Sequence, residues 1–278
     1  MNSFDKIKDF RVLFVGDGII DEYRYVKPRG KSTKTNTLSV EYLKRKEVFR
    51  GGVWAAADHL RGLCAQVDVM NGASSMKNVY YVDEVYTTKI LNVHEVHQLM
   101  DAPKDYDIRD YDLVVVTDFG HSTMTKDLIE RVSKESRYLA VNAQTNSMNL
   151  GFNMITKYRR ADLVVIDELE ARLAAHERDA PLEDVILALG YRNIIVTMGA
   201  RGAIGFDGAF ERRAATTEHV VDNMGAGDAF LSVVAPFASA GVSMKELLRI
   251  GNAAGAIKCG ILGHRKSVDR QSLEAALV

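Results

Sequence analysis

Short apolar runs recur along the second half of the chain: Leu113 to Thr117 (LVVVT), Tyr138 to Val141, Leu163 to Ile166 (LVVI) and Ile194 to Thr197 (IIVT). They are unbroken by polar alternation and separated by helical patterns, which predicts parallel strands buried on both faces and an α/β architecture. Arg11 to Val15 (RVLFV) has the same character near the start, and Gly16-Asp17-Gly18 predicts a turn after it. Two stretches differ. From about Tyr23 to Arg50 and again from Val79 to Gln98 the chain is rich in Thr, Ser, Lys and Tyr with partial alternation, which predicts strands with one solvated face that pair as a small appended sheet. Gly51-Gly52 opens an Ala-rich helix expected over Val53 to Leu63, and Ala226 to Ala240 and Met244 to Cys259 read as two Ala- and Gly-rich helices packed closely on the sheet.

Composition narrows the function classes. With 36 Lys plus Arg against 37 Asp plus Glu, the net charge of −1 offers no general attraction to nucleic acid or to an anionic membrane, so an anionic ligand has to be held locally. No apolar run approaches the ~18 residues of a membrane span, and the start has no signal-peptide pattern, so a cytoplasmic protein is expected. Cys64 and Cys259 form no CxxC pair, which argues against a disulfide framework or zinc site. One domain over residues 1–278, with the two polar stretches as its appendage, accounts for the length.

The candidate chemistry lies at Gly225-Ala226-Gly227-Asp228, where a loop meets an apolar helix. Small residues there let backbone N–H groups converge at a helix N-terminus, a geometry that favours an anion. A carboxylate at the same point repels a phosphate unless it holds the proton of an attacking hydroxyl, so Asp228 is either a general base or a helix cap.

The longer string Asp222-Asn223-Met224-Gly225-Ala226-Gly227-Asp228-Ala229-Phe230 resembles the second signature of the PfkB carbohydrate kinases, whose final Asp is the base and whose Gly-Ala-Gly amides form an anion hole. Gly16-Asp17-Gly18-Ile19-Ile20-Asp21 is similar to the G-D-x-x-x-D opening of the heptose 7-phosphate kinase domains of ADP-heptose synthesis, in which the second Asp binds sugar hydroxyls. Gly51-Gly52 resembles the glycine pair beneath the sugar, and Thr117-Asp118-Phe119-Gly120 the family's S-D-Y-G. Thr197-Met198-Gly199-Ala200-Arg201-Gly202 resembles its T-x-G-x-x-G nucleotide loop, and Asn252-Ala253-Ala254 the adenine-pocket segment. The resemblance implies a ribokinase-like three-layer α/β/α fold with a mainly parallel sheet and a β-sheet lid over residues 23–50 and 79–98. It also implies catalysis by Asp228, Gly225, Ala226 and Gly227, and sugar contacts from Asp21, Asp17, Gly51, Gly52 and Asp118. Thr197, Gly199, Gly202 and Asn252 would hold ATP, Glu168 and Asp222 the metals. Magnesium and a potassium ion near Asp222 are the implied cations, a sugar or sugar phosphate the substrate, and a homodimer through the lid the assembly.

The chain also departs from that pattern. Only about sixty residues separate Gly52 from the Leu113 run, short of the family by roughly one strand-helix unit. The family's N-x-x-E falls at Val165-Ile166-Asp167-Glu168, which lacks the Asn, and the Asn expected after the glycine pair is absent, with Asp58 as the one polar substitute. Asn142-Ala143-Gln144-Thr145-Asn146-Ser147 is rich in amides and reads either as a sugar or phosphate contact or as a surface loop; Lys157, Arg159 and Arg160 read as a solvated helix face rather than as a phosphate site. Two further classes stand beside a kinase: a degenerate kinase-like module that binds sugar phosphate or nucleotide without transfer, and a dinucleotide oxidoreductase, which lacks its glycine fingerprint after the first strand.

Overall fold

The apolar run at Arg11 does not stop at its glycines. In the computed structural model, which describes residues 3–98, 106–216 and 220–278, strand β1 runs unbroken over Arg11–Lys31. Gly16 lets it pass so close to the neighbouring strand that a Cβ there would sit 2.1 Å from the Thr117 carbonyl oxygen. The pairing register slips between Gly16 and Gly18, so the predicted turn is an irregularity inside a strand.

β1 pairs antiparallel with β2 (Leu38–Gly52) and parallel with β3 (Gln66–Asp83), which in turn pairs antiparallel with β4 (Lys89–Gln98). The far halves of these four strands are the two polar stretches of the sequence. They continue the central sheet outward rather than forming a separate one, because β1 and β3 each serve both parts. Among the described elements, only β3, β4 and a short 3-10 turn at Ile108–Asp110 lie between α1 (Val53–Asp58) and the next buried strand, as the short spacing implied. α1 itself ends five residues earlier than expected, with turns following Asp58.

On the other side of β1 the sheet continues through β5 (Leu113–Asp118), β6 (Leu139–Ala143), β7 (Leu163–Asp167) and β8 (Ile194–Thr197), all parallel, to the antiparallel hairpin β9 (Ala203–Phe206) and β10 (Phe210–Arg213). Against one face pack α1, α5 (Ala226–Ser239), α6 (Met244–Cys259) and α7 (Arg270–Ala276), around Phe14, Val115, Phe230 and Phe237. The other face is covered by α2 (Lys126–Glu135), α3 (Glu168–Ala175) and α4 (Leu182–Leu189), around Leu13, Val114, Val164 and Ile194. Alternate residues of each strand feed alternate cores, which is why the strands read as unbroken apolar runs. Each fully buried Leu, Ile, Val or Phe removes enough surface from water to stabilise the fold by about 1.5–3 kcal/mol. The architecture is therefore the three-layer α/β/α sandwich with a mainly parallel sheet.

Among the described residues no helix is long and apolar enough to cross a membrane.

Candidate active site

The buried parallel strands end on one side of the sheet, and loops from β6, β7 and β8 meet the start of α5 there. They enclose a cavity of about 610 Å³ whose wall includes Asn142, Thr197, Gly202, Gly225 and Asn252. Open α/β sheets place ligands at this edge because loops diverge at the carboxyl ends of the strands. Gly225 sits at φ 75° as the N-cap of α5, a left-handed conformation that glycine adopts without strain. The first-turn N–H groups that follow have no intrahelical acceptor and point out of the helix; that of Ala226 reaches the Asn223 carbonyl at 3.3 Å. All four residues of Gly225-Ala226-Gly227-Asp228 border the cavity.

Asp228 is buried in the first turn of α5. Gln144 Nε2 donates to its Oδ1 at 2.5 Å, which leaves Oδ2 without that partner. Burial pushes the Asp228 carboxyl up to about 6; the nearby His264 side chain, the Gln144 hydrogen bond and Lys258 oppose the rise, and the charge of Asp21 adds to it. A carboxylate with that affinity for a proton, at a helix N-terminus beside a cavity, is matched to accept a proton near neutral pH.

Asp21 lies beyond Asp228, on the inner face of the outward sheet. The register sets Phe49, Asp21, Asn78 and His94 side by side across β2, β1, β3 and β4. Asn78 donates to Asp21 Oδ1 at 3.0 Å, and His94 Nδ1 lies 2.8 Å from Asn78 Oδ1. His264, from the loop after α6, approaches Asp21 Oδ2 at 3.1 Å. Gly51 makes room for this cluster: a Cβ there would lie 2.3 Å from Asp21 Oδ2 and 3.2 Å from His264 Nε2. Next to it, Tyr23, Tyr25 and Tyr80 form an aromatic cluster that reaches Met224, just before the Gly225 turn.

Several residues expected at the site are engaged elsewhere. Asp17 is buried with its carboxylate on the backbone amides of Phe119, His121 and Thr123, so it shapes that loop rather than facing the cavity. Asp118 is likewise consumed by Gly120 N, Asn153, Tyr158 Oη and Lys157. Gly52, at φ 59°, allows close approach to the Asp17 carbonyl. Glu168 pairs with Arg172 and Arg201 and does not border the cavity. The spacing of N-x-x-E is met two residues later, by Asp167 and Glu170, which do border it. These two form a capping box on α3, and Glu170 also accepts from Thr145 N. Burial, then the adjacent charge of Asp167, pushes the Glu170 carboxyl up to about 8. Asp58 points to solvent and pairs with Arg61. Lys157 and Arg160 turn inward, to Asp118 and to the carbonyls of Ser133 and Ser136, rather than lining a solvated helix.

Thr197, Gly199 and Gly202, expected to hold nucleotide, and the helix residue Asn252 share the cavity with the Gly225 turn. The amide-rich run divides: Asn142 and Gln144 border the cavity, whereas Asn146 and Asn149 donate to the Phe119 carbonyl. Asn142 Oδ1 is buried without a hydrogen-bond partner among the described residues. Gln144, Glu170, Asn78 and His264 were missed by sequence reasoning; only the amide richness around Gln144 signalled any of them.

Residues 153–270 match the family described as pfkB family carbohydrate kinase. Over this stretch the chain is similar to the pfkB carbohydrate kinases. The bifunctional protein HldE of Desulfatibacillum aliphaticivorans is 25% identical over all of this chain and 65% of its own length, and that of Campylobacter jejuni subsp. doylei 24% over 91% and 62%. The chain thus spans less than two thirds of these curated relatives. Fructoselysine 6-kinase of Escherichia coli K12 is 38% identical over 86 residues, 28% of this chain and 33% of its own. Among solved structures, Arabidopsis thaliana ribokinase complexed with ribose and ATP superposes with a TM-score of 0.69 at 16% identity, covering 97% of this chain and 99% of its own. Escherichia coli phosphofructokinase-2 in complex with potassium gives 0.70 at 14%, covering 96% and 98%. The fold of this chain is ribokinase-like.

Proposed function

We propose that the chain transfers the γ-phosphoryl group of ATP to a hydroxyl of a sugar or sugar phosphate of the heptose 7-phosphate kind, with Asp228 as the general base. The observation that carries this reading is the place of Asp228: buried at the N-terminus of α5, between the cavity and the Asp21–His264 cluster. The nucleotide occupies the cavity against Thr197, Gly199, Gly202 and Asn252, and the sugar lies against Asp21 with Gly51 beneath it. Asp228 takes the hydroxyl proton as the sugar oxygen bonds to the γ-phosphorus, and the bond to the bridging oxygen breaks to release ADP. The amides of the Gly225-Ala226-Gly227 turn, at the positive end of the α5 dipole, stabilise the charge on the transferring group.

Magnesium on the nucleotide, when bound, offsets phosphate charge. Asp167 and Glu170 are the carboxylates of the cavity wall suited to hold it, and their proximity and the high proton affinity of Glu170 fit a cation. Glu168 does not fit, since it turns away from the cavity to Arg172 and Arg201. The outward sheet is read as a lid over the sugar. Its outer face, where the register aligns Val48 with Val93 and Tyr81 with Leu91, is read as the contact between two copies of the chain.

The test is ADP release with magnesium-ATP and a panel of sugars and sugar 7-phosphates, beside Asp228→Asn. Release that depends on one acceptor and falls by ~10²-fold or more in the variant is expected. Nucleotide or sugar binding without turnover across the panel would refute the transferase and leave a binding module of the same fold.

A further inference from the structure

Lys258, the penultimate residue of α6, is fully buried, and it is the one buried lysine or arginine among the described residues. Its Nζ donates to the backbone carbonyls of Met224 at 2.7 Å and Gly263 at 2.8 Å, with that of Ile261 farther off at 3.5 Å. An ammonium has three N–H donors and no acceptor, so three converging carbonyls suit its charged form. Desolvating such a charge is costly unless its donors are met, and here they are met by neutral carbonyls rather than by a carboxylate.

The residues involved are those of the anion-binding turn. Met224 immediately precedes Gly225, and Gly263 immediately precedes His264, the partner of Asp21. A Cβ on Gly225 would lie 3.3 Å from Lys258 Cε. The same two residues are held a second time from the other side: Asp222 accepts from Met224 N at 3.1 Å and from Gly263 N at 3.0 Å. Burial by itself would raise the Asp222 carboxyl, but those amides and the charge of Lys89, 3.2 Å from both oxygens, hold it below the usual range.

The potassium ion expected near Asp222 does not fit this arrangement. A monovalent cation needs several oxygen ligands; the carbonyls that converge here already accept from Lys258, and the Asp222 oxygens already serve two amides and Lys89. We propose that Lys258 is a built-in monovalent cation: its ammonium ties the anion-binding turn to the loop of His264 and fixes a positive charge beneath the turn, making the reaction independent of potassium. Lys258 is a positioning residue, and its role in turnover rests on the kinase reading above.

The test compares potassium, sodium and tetramethylammonium chlorides at equal ionic strength, with rates of ADP release and melting temperatures for the full chain, Lys258→Ala and Lys258→Met. The unaltered protein is expected to give rates within about twofold in all three salts and no potassium-selective rise in melting temperature. Lys258→Ala opens the carbonyl cage; its rate in tetramethylammonium falls by ~10²-fold and recovers about tenfold with potassium, and its melting temperature rises with potassium selectively. Lys258→Met keeps the volume and loses the charge, so its rate falls in every salt without rescue. A tenfold potassium stimulation of the unaltered protein, or full rates for either variant in tetramethylammonium, would overturn the proposal. If no acceptor supports ADP release at all, the kinase reading fails, and the melting temperatures alone decide this one: potassium-selective stabilisation of Lys258→Ala supports it, and its absence refutes it.

Discussion

In the proposed reaction, the hydrogen bond from Gln144 to Asp228 helps set the working pH. Burial raises the Asp228 carboxyl to about 6, and the amide of Gln144 favours its charged form. A base works only when ionised, so kcat/KM is expected to be constant above about pH 7 and to fall with unit slope below about pH 6. Gln144→Leu removes a donor that stabilises the carboxylate, and the acid limb is expected to move upward by about 1 pH unit. Rate profiles from pH 5 to 9 for both proteins check this; an unmoved limb in the variant would separate the limb from Asp228. The sequence singled out Asp228 as the candidate base because the Gly-rich turn before an apolar helix is a local pattern. It left Gln144 unresolved, because which amide of a loop faces inward depends on a helix 84 residues away.

At the scale of elements, the proposed sugar side is built from a crossing of strands rather than from a loop. Asp21, Asn78 and His94 meet because β1, β3 and β4 are in register, and His264 joins them from beyond α6. Gly51, at the end of β2, is the gap through which Asp21 and His264 approach each other. Gly51→Ala is therefore expected to displace the Asp21 carboxylate and to raise KM for the acceptor by ~10-fold or more, with KM for ATP nearly unchanged. Steady-state kinetics with each substrate varied in turn distinguish this from a general loss of fold, in which both constants and the melting temperature would shift. Glu168 illustrates the opposite case, a residue of the right type near the right spacing that the start of α3 turns toward Arg172 and Arg201 while Glu170 turns inward.

For the molecule as a whole, the outward sheet leaves Val48, Leu91 and Val93 exposed on its far face at 53%, 56% and 37%, among Arg24 and Lys46. Apolar side chains aligned on a projecting sheet are a surface suited to a second copy. Sedimentation at micromolar concentration is expected to give twice the 30.8 kDa of the chain, and Val48→Asp with Leu91→Asp to give the single chain. A monomer in both would remove the sheet from the assembly.

What the sequence determined by itself was whatever is periodic or contiguous: the buried parallel strands from Leu113 to Thr197, the two helices after Gly225, and the turn with Asp228. Those follow from side-chain size and spacing over a few residues. Only the tertiary structure decided that β1 runs through its glycines into the outward sheet, that Asp17 and Asp118 shape loops, that Asp167 and Glu170 face the cavity, and that Lys258 lies beneath the anion turn. Each of these depends on which distant backbone amides and carbonyls happen to converge on a buried charge, and a buried charge must find such partners wherever the fold supplies them.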